Sequence, residues 1–97
     1  MEVKDIQPNT SFDVLKLKIV EIYKPVEFAT FSGYGRVANA KARDESGEIN
    51  LTLWGDEIDK VHIGDTVTIE NGWARRYMGK LQVSTGRFGR LKIDREE

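Results

Sequence analysis

Residues 44–62 read Asp-Glu-Ser-Gly-Glu-Ile-Asn-Leu-Thr-Leu-Trp-Gly-Asp-Glu-Ile-Asp-Lys-Val-His. Asp44 to Gly47 has turn chemistry, with its glycine last. Residues 48–54 then alternate strictly: Ile49, Leu51 and Leu53 point one way, and Asn50, Thr52 and Trp54 the other. That period of two is the mark of a strand with one buried face. At 55–62 the alternation stops, acids cluster first, and Ile58 and Val61 fall three apart. This predicts about two turns of helix with one side against the core and its acids near the positive end of the dipole.

Strand signals surround this stretch. Residues 12–24 are β-rich: Leu15, Leu17 and Ile19 alternate, then Val20 and Ile22 alternate in the opposite phase. A phase flip inside one long strand predicts a bulge, which lets a strand curl around a barrel. Pro25 ends it, and 25–35 reads as a loop carrying Phe28, Phe31 and Tyr34. A second strand is expected at 36–43. After a turn at 63–65 come a fourth strand at 66–71, with Val67 and Ile69 inward, and a fifth at 80–85, with Leu81 and Val83 inward. Residues 86–97 read as a glycine-spaced basic stretch with a short extended piece at 91–93 and a charged end. The expected fold is all-β: a single domain over 1–97, a five-stranded OB-fold barrel with a short helix between strands 3 and 4. A small SH3-like barrel is the competitor, and the helix after the third strand favours the OB-fold.

The chain has 97 residues, room for one core. With hydrophobic residues at 39% and charged residues at 32%, the composition is that of a soluble globular domain. The N-terminus lacks the apolar stretch of a signal peptide and no apolar run approaches bilayer length, so an intracellular protein is expected, cytoplasmic and nucleoid-associated, without membrane contact. Cysteine is absent, which excludes disulfides, thiolate metal sites and a cysteine nucleophile. The net charge of −1 hides an asymmetry. Acids outnumber bases over 1–71, whereas 72–93 hold Arg75, Arg76, Lys80, Arg87, Arg90 and Lys92 and no acid. A purely basic segment on an acidic chain is a local footprint for a polyanion.

Rings gather with those charges. In extended geometry Trp73, Arg75 and Tyr77 share a face, with Arg76 beside them and Lys80 just beyond. Exposed rings stack on bases and cations track phosphates; the alternative is a hairpin whose aromatics merely pair across strands. Trp54 faces away from Ile49, Leu51 and Leu53, which puts a large aromatic outside the barrel or under a loop. Phe31 and Tyr34, with Phe28, either clamp a strand of nucleic acid, plug the barrel or meet a second subunit. Gly33-Tyr-Gly-Arg-Val-Ala38 fits a loose dinucleotide pattern, but a strand follows it, so no helix N-terminus awaits a pyrophosphate. Asp56, Glu57, Asp59 and His62 read as a solvated helix face rather than a metal or acid–base site. With one histidine and no nucleophile–base pairing, no catalysis, metal or cofactor is expected.

Several segments, in order and spacing, resemble the simple single-stranded DNA-binding proteins, the archaeal ones with one OB domain and their short human relatives. They are Val3-Lys-Asp-Ile-Gln-Pro8, the run from Asp44 to Trp54, Ile63-Gly-Asp65, Ile69-Glu-Asn-Gly-Trp73, Tyr77-Met-Gly-Lys-Leu81 and Ser84-Thr-Gly-Arg87. The resemblance implies that Trp54, Trp73 and Tyr77 stand where the family's base-stacking rings stand. It also implies a role in DNA replication, recombination or repair. Some relatives carry a further aromatic where this chain has Val83, and some a long tail that recruits partners; this chain ends at Glu97, so neither carries over. The expected ligand is single-stranded DNA, bound without sequence preference through Trp54, Trp73, Tyr77, Arg75, Arg76, Lys80, Arg87, Phe31 and Tyr34. The alternatives are an RNA-binding OB module, a protein-interaction subunit that associates with itself or with repair and replication proteins, and a metal-dependent nuclease.

Overall fold

The structure, a computed structural model, describes residues 1–94 and all their side chains except that of Arg87. After a short 3-10 turn at Val3–Asp5 the elements run β1 (Thr10–Ile22), β2 (Val26–Thr30), β3 (Gly33–Asp44), β4 (Gly47–Trp54), α1 (Asp56–Lys60), β5 (Thr66–Tyr77) and β6 (Lys80–Asp94). They form one sheet in the order β1-β5-β6-β4-β3-β2, and a further pairing of β1 with β3 closes it. The barrel strands are β1, β3, β4, β5 and β6. β4 meets β6 in parallel, Leu51 beside Val83, and the other pairings are antiparallel. With α1 between the third and fourth barrel strands, this is the expected OB-fold.

Alternation fills the interior. Leu15, Leu17 and Ile19 of β1, Ile49, Leu51 and Leu53 of β4, Val67 and Ile69 of β5 and Val83 of β6 are buried. β3 contributes only alanines: Ala38, Ala40 and Ala42 lie opposite Leu53, Leu51 and Ile49. Small residues against large ones let a narrow barrel fill without strain. The flip of phase in β1 is a bulge, seen as a register shift between Ile19 and Glu21 in the pairing with β3. Ile22 packs on the core beyond it, while Val20 is exposed.

Three segments differ from the sequence expectation. Residues 25–35 are not a loop: Val26–Thr30 and the start of β3 form a hairpin around a tight turn at Phe31 and Ser32. β5 does not stop at Asn71. That residue takes a left-handed φ of 53°, which resets the alternation, so Gly72 and Ala74 become the inward residues and the strand runs on to Tyr77. Met78 and Gly79, with φ of 50° and 79°, then make the tight turn that a twisted hairpin prefers. Lastly, the extended piece expected at 91–93 is not separate: β6 runs on through the glycine-spaced stretch from Lys80 to Asp94. The pairing jumps from Gly72–Thr85 to Glu70–Arg90, so 86–89 bulge against Asn71. Gly86 and Gly89 lie so close to the Asn71 carbonyl that a side chain at either would collide with it.

The helix is shorter than the expected 55–62. Val61, just past its end, is buried, and Ile58 packs partly on the core. The turn at Asp44 also fastens the N-terminus: its carboxylate accepts hydrogen bonds from the Ser46 N–H (2.7 Å), the Ser46 hydroxyl (2.6 Å) and the Val3 N–H (2.8 Å). Burial pushes the Asp44 pKa up, but these bonds outweigh it and hold the group below its usual value. Among the described residues, no helix is long and apolar enough to cross a membrane.

Candidate nucleic-acid interface

The outward residues of four neighbouring strands make one face. Register fixes a row across it: Lys41 of β3 opposite Asn50 of β4, Asn50 beside Gln82 of β6, and Gln82 opposite Arg75 of β5. Because β5 runs past the bulge at Asn71, Trp73 and Tyr77 flank the row on either side of Arg75, on the same face. Trp73 is 42% exposed and Tyr77 53%, and the Arg75 guanidinium lies 5.5 Å from the centre of the Tyr77 ring. Trp54 closes the other end of the row's neighbour, at the last residue of β4, 44% exposed.

Trp54 and Trp73 come from different strands yet line the same cleft of about 140 Å3. Its floor includes Thr52 and Gln82, both nearly buried, with Arg75 and Ser84 at its side. Gln82 is shared with a second, wider hollow of about 460 Å3 that runs past Tyr77, Lys80, Lys41, Asn50 and Tyr23. The two hollows meet at Gln82. Between them they are lined by Trp54, Trp73 and Tyr77, by Arg75, Lys80 and Lys41, and by the amides of Asn50 and Gln82.

The basic segment divides. Among the described residues, Arg75, Arg76, Lys80 and Lys41 form no ion pair. Lys92 is held by Glu70 at 2.8 Å, on the far side of the β6 bulge, where Arg90 also lies opposite Glu70. Arg76 alternates to the other face of β5 from Arg75 and Tyr77, opposite Leu81. The side chain of Arg87 lies outside the described residues. Val83, where some relatives bear a ring, is core.

The aromatics of 25–35 separate. Phe31 stands fully exposed in the turn, and Tyr34, opposite Ala29, lies on the hairpin face away from Trp54. It is Phe28 that meets Trp54, edge to face, with centroids 6.2 Å apart and planes at 88°. The structure thus brings Trp54, Trp73, Tyr77, Arg75 and Lys80 together, and does not bring Phe31 or Tyr34 to them. Sequence reasoning passed over Lys41 and Gln82, although alternation in their strands already put them on the Trp54 face.

Two of the helix acids, Glu57 and Asp59, have structural partners. Glu57 accepts the Trp54 N–H at 2.9 Å and fixes the end of β4; burial raises its pKa, against the bonds from Trp54 and the Thr85 hydroxyl. Asp59 takes both terminal nitrogens of Arg36, at 2.7 and 3.3 Å, and that hydrogen-bonded pair lowers the Asp59 pKa. Among the described residues, no group of three histidine, aspartate or glutamate side chains is placed to hold a metal.

Comparison with known proteins agrees with this architecture. The chain is 28% identical over 85 residues to the single-stranded DNA binding protein Ssb of Saccharolobus solfataricus, covering 88% of this chain and 57% of that protein. It is 35% identical over 75 residues to replication factor A of Methanothermobacter thermautotrophicus, covering 76% of this chain and 10% of the relative. The chain thus spans little more than half of the first curated relative and a small part of the second. A crystal structure of a domain of replication protein A from Methanococcus maripaludis superposes with a TM-score of 0.77 at 26% identity, covering 96% of this chain and 92% of that one. The family model described as single-stranded DNA binding protein Ssb-like, OB fold, matches residues 6–93. By that match across nearly its whole length, the chain belongs to the Ssb-like OB-fold family of single-stranded DNA-binding proteins.

Proposed function

We propose that this protein binds single-stranded DNA without sequence preference, stacking bases on Trp54, Trp73 and Tyr77 while Arg75, Lys80 and Lys41 meet the phosphates. The observation that carries this reading is the cleft shared by Trp54 and Trp73, with cations beside it that have no acidic partner among the described residues. Rings offer stacking to any base, because every base has a π-face. A duplex hides those faces, so single strands are preferred. The names of the two curated relatives, a single-stranded DNA binding protein and a replication factor, support single-stranded DNA as the ligand and a role in replication; recombination and repair remain part of the proposal.

The test is a titration with a short oligothymidine. Trp54 and Trp73 are the only tryptophans, so saturation should quench much of the intrinsic fluorescence. One barrel should cover a site in the range of about 4–16 nucleotides. A blunt duplex of the same length should bind far more weakly, and a matched RNA oligomer in competition measures the preference for DNA. Unchanged fluorescence at saturation would remove the stacking rings from the site.

The same titration at several salt concentrations reads the phosphate contacts. Each neutralised phosphate of a single strand contributes about −0.7 to the slope of log affinity against log salt, so three or four contacts give roughly −2 to −3. Arg75→Ala should make the slope shallower by nearly one contact, whereas Glu2→Ala, on the acidic part of the chain, should leave it alone. A slope near six contacts' worth would mean that charge alone does the binding and the rings are bystanders.

A further inference from the structure

The β2–β3 hairpin lies outside the barrel, and β2 is hydrogen-bonded to β3 alone. Two contacts on its opposite faces fix it. On one, Arg36 grips Asp59 and reaches the Gly55 carbonyl at 3.5 Å, while the Gly55 N–H donates to the Arg36 carbonyl at 2.9 Å. On the other, the Phe28 ring passes over β3 at Gly35 and ends against Trp54. A Cβ on Gly35 would stand 2.6 Å from the Phe28 ring tip, so the glycine is what lets the ring cross.

Trp54 needs such a support. It is the last residue of β4, Gly55 follows it with φ of 53°, and nearly half the residue is in water. Phe28 does not line the cleft that Trp54 shares with Trp73, so it meets the indole from outside that cleft. A ring held in place before binding loses less freedom when a base stacks on it.

We propose that Phe28 is a positioning residue for Trp54: the hairpin lays its ring against the indole and holds the indole's open side toward the cleft. This rests on the reading of the cleft as a base-stacking site. The aromatics at the hairpin tip take no part, and the hairpin acts through Phe28.

The experiment uses the full chain with Trp73→Phe, which leaves Trp54 as the sole tryptophan and keeps a ring at 73. Two readouts are taken: the fluorescence anisotropy of Trp54 in the free protein, and the affinity for oligothymidine. Phe28→Ala removes the support. Gly35→Ala displaces it with the ring still present, and Gly35 is not in the left-handed region, so its backbone accepts alanine. Both variants should lower the anisotropy and weaken binding by roughly two- to tenfold, the span expected for one edge-to-face aromatic pair. Phe28→Tyr should restore both readouts, and Phe31→Ala should move neither. Unchanged anisotropy in Phe28→Ala and Gly35→Ala overturns the proposal, whatever the affinity does. So does a loosened Trp54 that binds oligothymidine as tightly as before. If the Trp73→Phe protein itself does not bind oligothymidine, the stacking reading falls, and the anisotropy still decides whether Phe28 holds Trp54.

Discussion

Replacing Trp54 and Trp73 together with alanine is expected to weaken oligothymidine binding by roughly 2–6 kcal/mol, about thirtyfold to more than ten-thousandfold, at about 1–3 kcal/mol per lost base stack. The wide range has a structural source. The two rings share one cleft, so their losses need not add, and comparing the double variant with both single ones measures the coupling. Each ring keeps more than two-fifths of its surface in water, 44% and 42%, so removing either should cost less folding free energy than removing a fully buried leucine. Circular dichroism and thermal melts separate the two kinds of loss. If the double variant is unfolded under the binding conditions, the rings belong to the core and the cleft is not a binding surface. If it is folded and binds as before, stacking is not how the protein holds DNA.

Leu51→Ala should do the reverse. Leu51 is fully buried, opposite Ala40 on β3 and beside Val83 on β6, at the one parallel pairing of the barrel. Truncation should lower the unfolding free energy by about 2–5 kcal/mol, because Ala40 is too small to fill the cavity left behind. For a domain of this size, whose whole stability is on the order of 5–15 kcal/mol, that is a large fraction. The melting temperature should fall by roughly 10 °C or more. At a temperature where the variant is still folded, its affinity for oligothymidine should be close to that of the parent. A loss below about 1 kcal/mol in urea would contradict the packed interior described above.

The barrel was legible because its inward residues obey a strict period. β4 alternates without a break, and the flip after Ile19 announced the bulge where β1 turns toward β3. What escaped reading is where glycine and asparagine do work that resembles a break. Asn71 looks like the end of a strand, but its left-handed backbone resets the alternation and the strand continues. Gly86 and Gly89 look like coil, yet they are small because two backbones touch there. Gly33 and Gly35 look like loop residues, but one follows the tight turn and the other makes room for a ring.

The same reasons sorted the candidate residues. Trp73, Arg75 and Tyr77 were found because alternate residues of any strand share a face. Arg76, one position out of phase, was grouped with them by sequence proximity and lies on the opposite side. The choice among Phe28, Phe31 and Tyr34 depended on where the hairpin turns. With the turn at Phe31 and Ser32, Phe28 and Tyr34 fall on opposite faces, and no pattern of composition carries that information.

The role of β1 has a consequence for how the chain comes to be folded. Its first part pairs with β5, Thr10 opposite Ala74, and its last part with β3, Ile22 opposite Ala40. β1 therefore lies between two other barrel strands, and one of them, β5, comes late in the chain. Such a pairing gains nothing until a long loop has been drawn shut, which places the protein with the slower, topology-limited folders. During synthesis β1, β3 and β4 leave the ribosome first, but Leu15 and Leu17 have no β5 to cover them until most of the chain has emerged. The barrel can close only once β5 and β6 are available to bridge β1 and β4.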